Sequence, residues 1–293
     1  MKFLLLPIVL LCAVSTALAQ DDVTGWPFWG RDPGGTRYSP LDQITAENVD
    51  QLAVAWEYRT GDSSDLQPGM PQSSFLATPV LHDNTLFFCS AFSRAFAVDA
   101  ETGEERWVFD SESDPTGINN AKCRGVALWH DERAAGSAPC RTRVFMGTMD
   151  GRMVAIDAES GRACSDFGTG GAIDLRVGLG KVIPGEMAMT SPPVVINDVV
   201  VQGAMTRDNA RVDSPGGVIR AWDARTGELR WAFDPVKPGS PSPAQIGAPA
   251  EQRYHTGTAN SWGISATDPE RNLVFVPFGS PGLDFVGGHR RNQ

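Results

Sequence analysis

Four of the chain's five cysteines, Cys89, Cys123, Cys140 and Cys164, lie beyond the apolar N-terminal run, and their chemistry is the most directly readable. Thiols ligate metals such as zinc when they come as Cys-x-x-Cys pairs or beside clustered histidines, and these four do neither. No Cys-x-x-Cys-His stretch for haem attachment occurs. In an oxidising compartment the four can form disulfides, with the pairing left open. A formal net charge of −10 argues against nucleic acid as a partner, since a phosphate backbone asks for a basic surface. Few like charges fall in a run, so the acidity reads as a solvated surface rather than a binding tail.

The first nineteen residues bear on that compartment. Met1 to Ala19 has one basic residue, an apolar core from Phe3 to Leu11 and an Ala17-Leu18-Ala19 end, the pattern of a secretory signal with cleavage expected before Gln20. A membrane anchor needs about 20 apolar residues, more than this run supplies. Residues 20–293 are then a mature chain that is periplasmic or secreted.

The elements that must position any site follow from a repeat. AVDAETGEERWVFD (97–110), AIDAESGRACSDFG (155–168) and AWDARTGELRWAFD (221–234) are three versions of one phrase. Their glycines, Gly103, Gly161 and Gly227, lie 58 and then 66 residues apart, a period that points to a radial or stacked β array. Within the phrase, Asp99, Asp157 and Asp223 can bond turn amides and the glycine supplies a positive φ. Trp107 and Trp231 need burial, and a thin four-stranded blade has only its neighbour to bury them against. The middle copy has Ser165 at that place, so one junction should be packed differently. The fold class read from this is all-β, a β-propeller of four-stranded blades with Trp docking phrases. The chain reaches residue 293 before a fourth phrase, which marks it as a fragment of a longer protein.

Around the repeat, Gly25 to Tyr38 is rich in Gly, Pro and aromatic residues and should be irregular. Ser39 to Leu52 can open with a short helix capped by Thr45. LAVAWEYRTG (52–61) reads as a strand with Trp56 in the docking role. Hairpins are expected about Asp83-Asn84, about Asp150-Gly151 and about Asn197-Asp198. Ser111 to Ala138 and Pro235 to Gly257 read as long loops.

GTRYSPLDQIT (35–45), AWEYRTGD (55–62), CRGV (123–126), TSPPVV (190–195) and GGVIRAWDARTGELRW (216–231), with the Trp phrases, resemble the pyrroloquinoline quinone-dependent dehydrogenases, in the glucose/quinate-type branch. The resemblance covers essentially the whole mature chain. It implies an eight-bladed propeller, about half of it present here, with the quinone on the axis and a bound Ca2+ or Mg2+. It also implies periplasmic oxidation of a small-molecule alcohol or sugar and an electron acceptor that is a membrane quinone or a cytochrome. Glucose-type members carry several N-terminal membrane spans where this chain has its apolar leader, which leaves association with the inner membrane open.

The quinone is flat, electrophilic and tricarboxylated, so its site needs a cation, ring faces and a metal that polarises the reacting carbonyl. The resemblance assigns cofactor binding to Arg124, to Trp262, which lies outside the docking phrases, and to Thr190. For the metal it points to Asp208 and Ser280. His130 falls near a substrate-side histidine of glucose-type enzymes. The family's general base lies beyond residue 293, so no catalytic residue is assigned within the chain. The alternative reading is a non-catalytic propeller that binds proteins, of the outer-membrane assembly type; Arg124, Trp262 and the Ala-x-Ala leader favour the enzyme.

Overall fold

The computed structural model describes residues 25–285 and Gly288. The secretory-signal reading falls on residues outside that range. The chain runs through β1 (Gln72–Phe75) into a first blade of β2 (Val80–His82), β3 (Thr85–Cys89), β4 (Arg94–Asp99) and β5 (Glu105–Asp110). Strand β6 (Asn120–Cys123) pairs in parallel with β1. A second blade follows with β7 (Ala127–His130), β8 (Thr142–Gly147), β9 (Arg152–Asp157) and β10 (Ala172–Asp174). After β11 (Met187–Ala188) come β12 (Val194–Ile196) and β13 (Val199–Gln202), then β14 (Met205–Thr206), which pairs with β11. Strands β15 (Ile219–Asp223) and β16 (Leu229–Phe233) complete the third blade. A further hairpin, β17 (Ala266–Asp268) and β18 (Leu273–Phe275), stands beyond it. Each blade is an antiparallel meander of neighbouring strands, as the expected hairpins require.

The strands are apolar on both faces because each blade is covered twice. Along β8, Val144 and Met146 join the core shared with the first blade, while Phe145 joins the core shared with the third. Val200 and Val201 of β13 split in the same way, the second packing toward Val274 of β18. Alternation with period 2 thus sends successive side chains of these inner strands to opposite neighbours, while the outer strand β16 stays exposed.

The three phrase aspartates do occupy equivalent turns. Asp99, Asp157 and Asp223 each accept a backbone N–H from the turn through Oδ1, and each backbone carbonyl accepts the N–H of Gly103, Gly161 or Gly227 at 2.9 Å. These glycines have φ of 75°, 69° and 74°. They are also contact points. A Cβ on Gly161 would lie 2.7 Å from the Trp107 ring, and one on Gly103 2.6 Å from the ring of Trp56. The indole of one unit therefore seats on the turn glycine of the next, and Trp107 fixes its seat by donating Nε1–H to the Ala158 carbonyl at 3.0 Å.

Several expectations are corrected. Trp231 is 40% exposed, because among the described residues no turn glycine of a further unit lies against it. Residues 52–61 form no strand; Trp56 docks as read, but the segment finds no ladder partner among the described residues. The helix in 39–52 shrinks to a 3-10 turn over Val49–Gln51 flanked by Asn48, with Thr45 bonded in the preceding turn. Ser111 to Ala138 is not one loop, since it contains β6 and β7.

The junction that lacks its tryptophan is rebuilt. Cys164 stands where the other phrases have Arg106 and Arg230, which pair with Asp99 and Asp223 at 2.6 and 2.5 Å. Cys164 is bonded to Cys140, and the Cys140 N–H, instead of a guanidinium, donates to Asp157. Across the same junction Arg225 grips Asp131 through two nitrogens, and the guanidinium groups of Arg225 and Arg143 both lie over the Trp129 ring, at 4.8 and 5.5 Å.

Two measurements check this account. Gly161→Ala should cost about 2–4 kcal/mol of unfolding free energy, combining left-handed backbone strain with overpacking against Trp107. Gly239→Ala, with φ 85° but open space around it, should cost only about 1 kcal/mol. For the rebuilt junction, Arg225 holds the Asp131 carboxyl down from an ordinary 3.8 to about 2. A depressed carboxyl contributes stability that is whole above its unfolded value and is lost as pH falls through its folded one. Urea unfolding of Asp131→Asn should thus show a deficit at neutral pH that closes between about pH 4 and pH 2.

Candidate functional site

Strand β6 and the pair β11–β14 end at one cleft of about 300 Å³. Strand β6 delivers Lys122 and, one residue beyond its end, Arg124. Thr190 stands two residues after β11, and Arg207 and Asp208 directly follow β14. Trp262, on the stretch before β17, closes the set, and Met149, Ala188 and Met205 give the cleft an apolar lining.

Arg124 is fixed at its backbone and held by little at its head. Its N–H and its Nη1 both donate to the Thr190 carbonyl, at 3.1 and 3.2 Å, while its own carbonyl accepts from Thr78 N–H and Trp29 Nε1. The Cys89–Cys123 disulfide ties the residue before it to the first blade. Its guanidinium lies 5.2 Å over the Trp262 ring. Among the described residues no carboxylate pairs with it, and burial pushes its pKa down, since desolvation disfavours the charged form. Such a cation is set up for an anion it does not yet have.

Trp262 and Thr190 show matching deficits. The Trp262 backbone is anchored, its carbonyl accepting from Ser191 Oγ, yet the residue is 49% exposed. Thr190 is 4% exposed and its Oγ1 has no hydrogen-bond partner. A buried hydroxyl without a partner is unfavourable unless something completes it. Around these three, Lys122 and Arg207 add positive charge and Asp208 one carboxylate. The cleft is thus cationic on a chain of net charge −10.

Arg124, Thr190, Trp262 and Asp208 are brought together as the sequence suggested. Ser280 and His130 are not. Ser280 is exposed and outside the lining. His130 closes β7, and its Nδ1 is bonded to Thr142 Oγ1 on β8 at 2.8 Å. A four-residue strand spans about 13 Å, so β7 carries His130 away from Arg124. Lys122 and Arg207 were missed. Lys122 had a signal, because residues two apart in extended chain share a side, and it sits two before Arg124.

A flat, multiply anionic ligand answers every feature: carboxylates for the cations, a ring plane for Trp262, an acceptor or donor for Thr190. Pyrroloquinoline quinone has that chemistry, and the residues fit it. A divalent cation is fitted less well, with Asp208 alone of the expected donors at the cleft. The grouping of Cys140, Cys164 and Asp166 is no substitute, since both sulfurs are in a disulfide.

Comparison with known proteins agrees. Residues 26–293 match the family described as glucose/ethanol/alcohol dehydrogenase, beta-propeller domain, of the PQQ type. The quinate/shikimate dehydrogenase (quinone) of Acinetobacter baylyi is 37% identical over 281 residues, covering 90% of this chain and 34% of that protein. The quinoprotein glucose dehydrogenase of Escherichia coli is 37% identical over 286 residues, covering 95% of this chain and 34% of its own. Among solved structures, the quinohemoprotein alcohol dehydrogenase of Comamonas testosteroni superposes with a TM-score of 0.65 at 27% identity, over 88% of this chain and 36% of that one. The chain spans about a third of the length of the curated relatives it matches.

The orphaned hydroxyl yields a test that needs no ligand. Thr190→Val keeps the shape and removes the unpaired oxygen, so the ligand-free protein should be unchanged or more stable by about 1 kcal/mol in urea unfolding. A marked loss would show that Oγ1 is satisfied in the free protein.

Proposed function

The chain belongs to the PQQ-type β-propeller family of glucose, ethanol and alcohol dehydrogenases, and from that premise we propose that the protein carrying it oxidises an alcohol, sugar or polyol with pyrroloquinoline quinone held in the Lys122–Trp262 cleft. The observation that carries the reading is Arg124, a half-buried guanidinium without a carboxylate partner among the described residues, standing over an exposed indole and beside an unpaired hydroxyl.

When bound, the quinone supplies a two-electron acceptor for turning a hydroxyl into a carbonyl. The chain's part is placement. Arg124, with Lys122 and Arg207, would neutralise the carboxylates; the Trp262 face would set the plane; Thr190 Oγ1 would fix the in-plane rotation. Asp208 would contribute one oxygen to a Ca2+ or Mg2+ ion. Removal of the substrate's proton is assigned to no residue of this chain.

The relatives' names, quinate/shikimate, glucose and glycerol dehydrogenases, support a polyhydroxylated substrate; the electrons would pass to a membrane quinone or a cytochrome. A periplasmic location, with the inner membrane near, suits that acceptor and the two disulfides. A protein-binding propeller gives no reason for a desolvated, unpaired cation over an exposed ring, so the scaffold reading is the weaker.

Titrating the quinone into the full-length protein by calorimetry, with Ca2+ present, tests the reading. Arg124→Ala should raise Kd about 30-fold or more, the equivalent of losing a charge-assisted hydrogen bond of about 2 kcal/mol. Trp262→Ala should raise it about tenfold. An unchanged Kd for Arg124→Ala would remove the cleft as the cofactor site, and dye reduction with glucose, quinate and glycerol then ranks the substrates.

A further inference from the structure

The irregular segment 26–37 reaches the first strands of the three blades and of the hairpin beyond them. Trp26 exchanges two backbone hydrogen bonds with Leu81 of β2, at 3.2 and 2.8 Å. The Pro33 carbonyl accepts the Thr267 N–H of β17 at 2.8 Å. Between these contacts the segment borders a cavity of about 200 Å³, whose other walls include Leu128 of β7 and Val195 of β12. The segment thus meets the blades at separate points, and one of those points is the cleft's arginine.

Trp29 donates Nε1–H to the Arg124 carbonyl at 3.1 Å, beside the Thr78 N–H at 3.0 Å. The Arg124 N–H is on the Thr190 carbonyl, so both peptide planes that flank the Arg124 Cα are held. Its guanidinium has only that same carbonyl and the Trp262 face to guide it, which leaves the backbone to set where the stem starts. Trp29 is itself well fixed. Its carbonyl accepts Trp26 Nε1–H at 3.3 Å, the Arg37 guanidinium lies 3.9 Å over its ring, and the Arg37 N–H closes the segment on the Gly30 carbonyl at 2.9 Å. The fit against the arginine's neighbour is close, since a Cβ on Gly125 would lie 3.1 Å from Trp29 Cδ1.

We propose that Trp29 is a positioning residue for the cofactor: its indole N–H fixes the Arg124 backbone and so the place of the guanidinium that meets a quinone carboxylate. The proposal rests on the reading of the cleft as a quinone site. Trp29 is outside the cleft lining and acts through Arg124 alone. A cation that must meet a rigid anion needs its own supports to be rigid, and a ring donor set in a folded segment supplies one.

The test is the quinone Kd of the full-length protein by calorimetry, with thermal unfolding alongside. Trp29→Phe keeps a flat ring and removes the donor, and Kd should rise about fivefold. Trp29→His puts an Nε2–H at the place in its five-membered ring that Nε1–H has in the indole, so it should recover most of that loss although it is the smaller side chain. In an Arg124→Ala background Trp29→Phe should add nothing, because the head being placed is gone. Gly161→Ala, which lowers Tm at a blade junction, should leave Kd unchanged and so separates placement from general loosening. Should Trp29→Phe fail to fold, Gly125→Ala is the second variant, its Cβ wedging the indole from the carbonyl, with the same rise expected. An unchanged Kd in the variant that folds, an equal rise for Trp29→Phe and Trp29→His, or a further rise in the Arg124→Ala background overturns the positioning role; Arg124→Ala still weakening the quinone then spares the cleft. If Arg124→Ala is also without effect, the cleft reading falls with it.

Discussion

A sheet four strands wide and one residue thick cannot bury both of its faces alone, and the rest of this structure follows from that constraint. It is why Phe145 and its neighbours Val144 and Met146 belong to different cores. It is also why the turn glycines serve twice. Gly103 and Gly161 need a positive φ to end the turn and need to lack a Cβ so that an indole can lie on them. Either need would favour glycine, and together they leave no alternative. The sites of backbone reversal and of blade docking therefore coincide.

The second junction shows that this geometry can be kept by other means. Ser165 removes the indole and Cys164 removes the arginine, and each loss is answered from outside the phrase. Cys140 is brought in by its disulfide and offers Asp157 a backbone N–H. Trp129, from a strand rather than a phrase, offers its ring to both Arg143 and Arg225. Arg143 is nearly inaccessible, yet it is satisfied by the Arg225 carbonyl and Asp166. Polar contacts are thus added at the rim of a junction whose centre stays apolar.

Legibility in the sequence followed the range of the forces involved. The phrase aspartates, the Asp150-Gly151 turn and the Trp107 dock are local or periodic, and each was readable from composition and spacing. Strands β6 and β7 were hidden in the apparent loop 111–138, because four-residue strands take their identity from partners distant in the chain. That omission misplaced His130, which a strand carries off and a loop would not have. Arg124 and Trp262 came from resemblance alone, and no spacing would have shown that residues 138 positions apart meet.

The cleft differs from the rest of the fold in leaving several deficits open at one place. Arg124 is desolvated without an anion, Thr190 buries an oxygen without a partner, and Trp262 keeps about half of its surface in water. Single unpartnered buried atoms occur elsewhere, at Thr206 and Asp62 among others, but the buried charged groups Arg143, Arg220 and Glu186 are all bonded. Each deficit works against the ligand-free state, and each could be relieved by a carboxylate, a hydrogen-bonding edge or a ring plane. One rigid, planar anion offers all three in fixed relation. The deficits are spread over β6, the segment after β11 and the approach to β17, so a ligand that relieves them together also ties the second and third blades to the hairpin beyond. Binding and blade assembly are then coupled through the same three residues, which makes the cleft a structural joint as well as a site of chemistry.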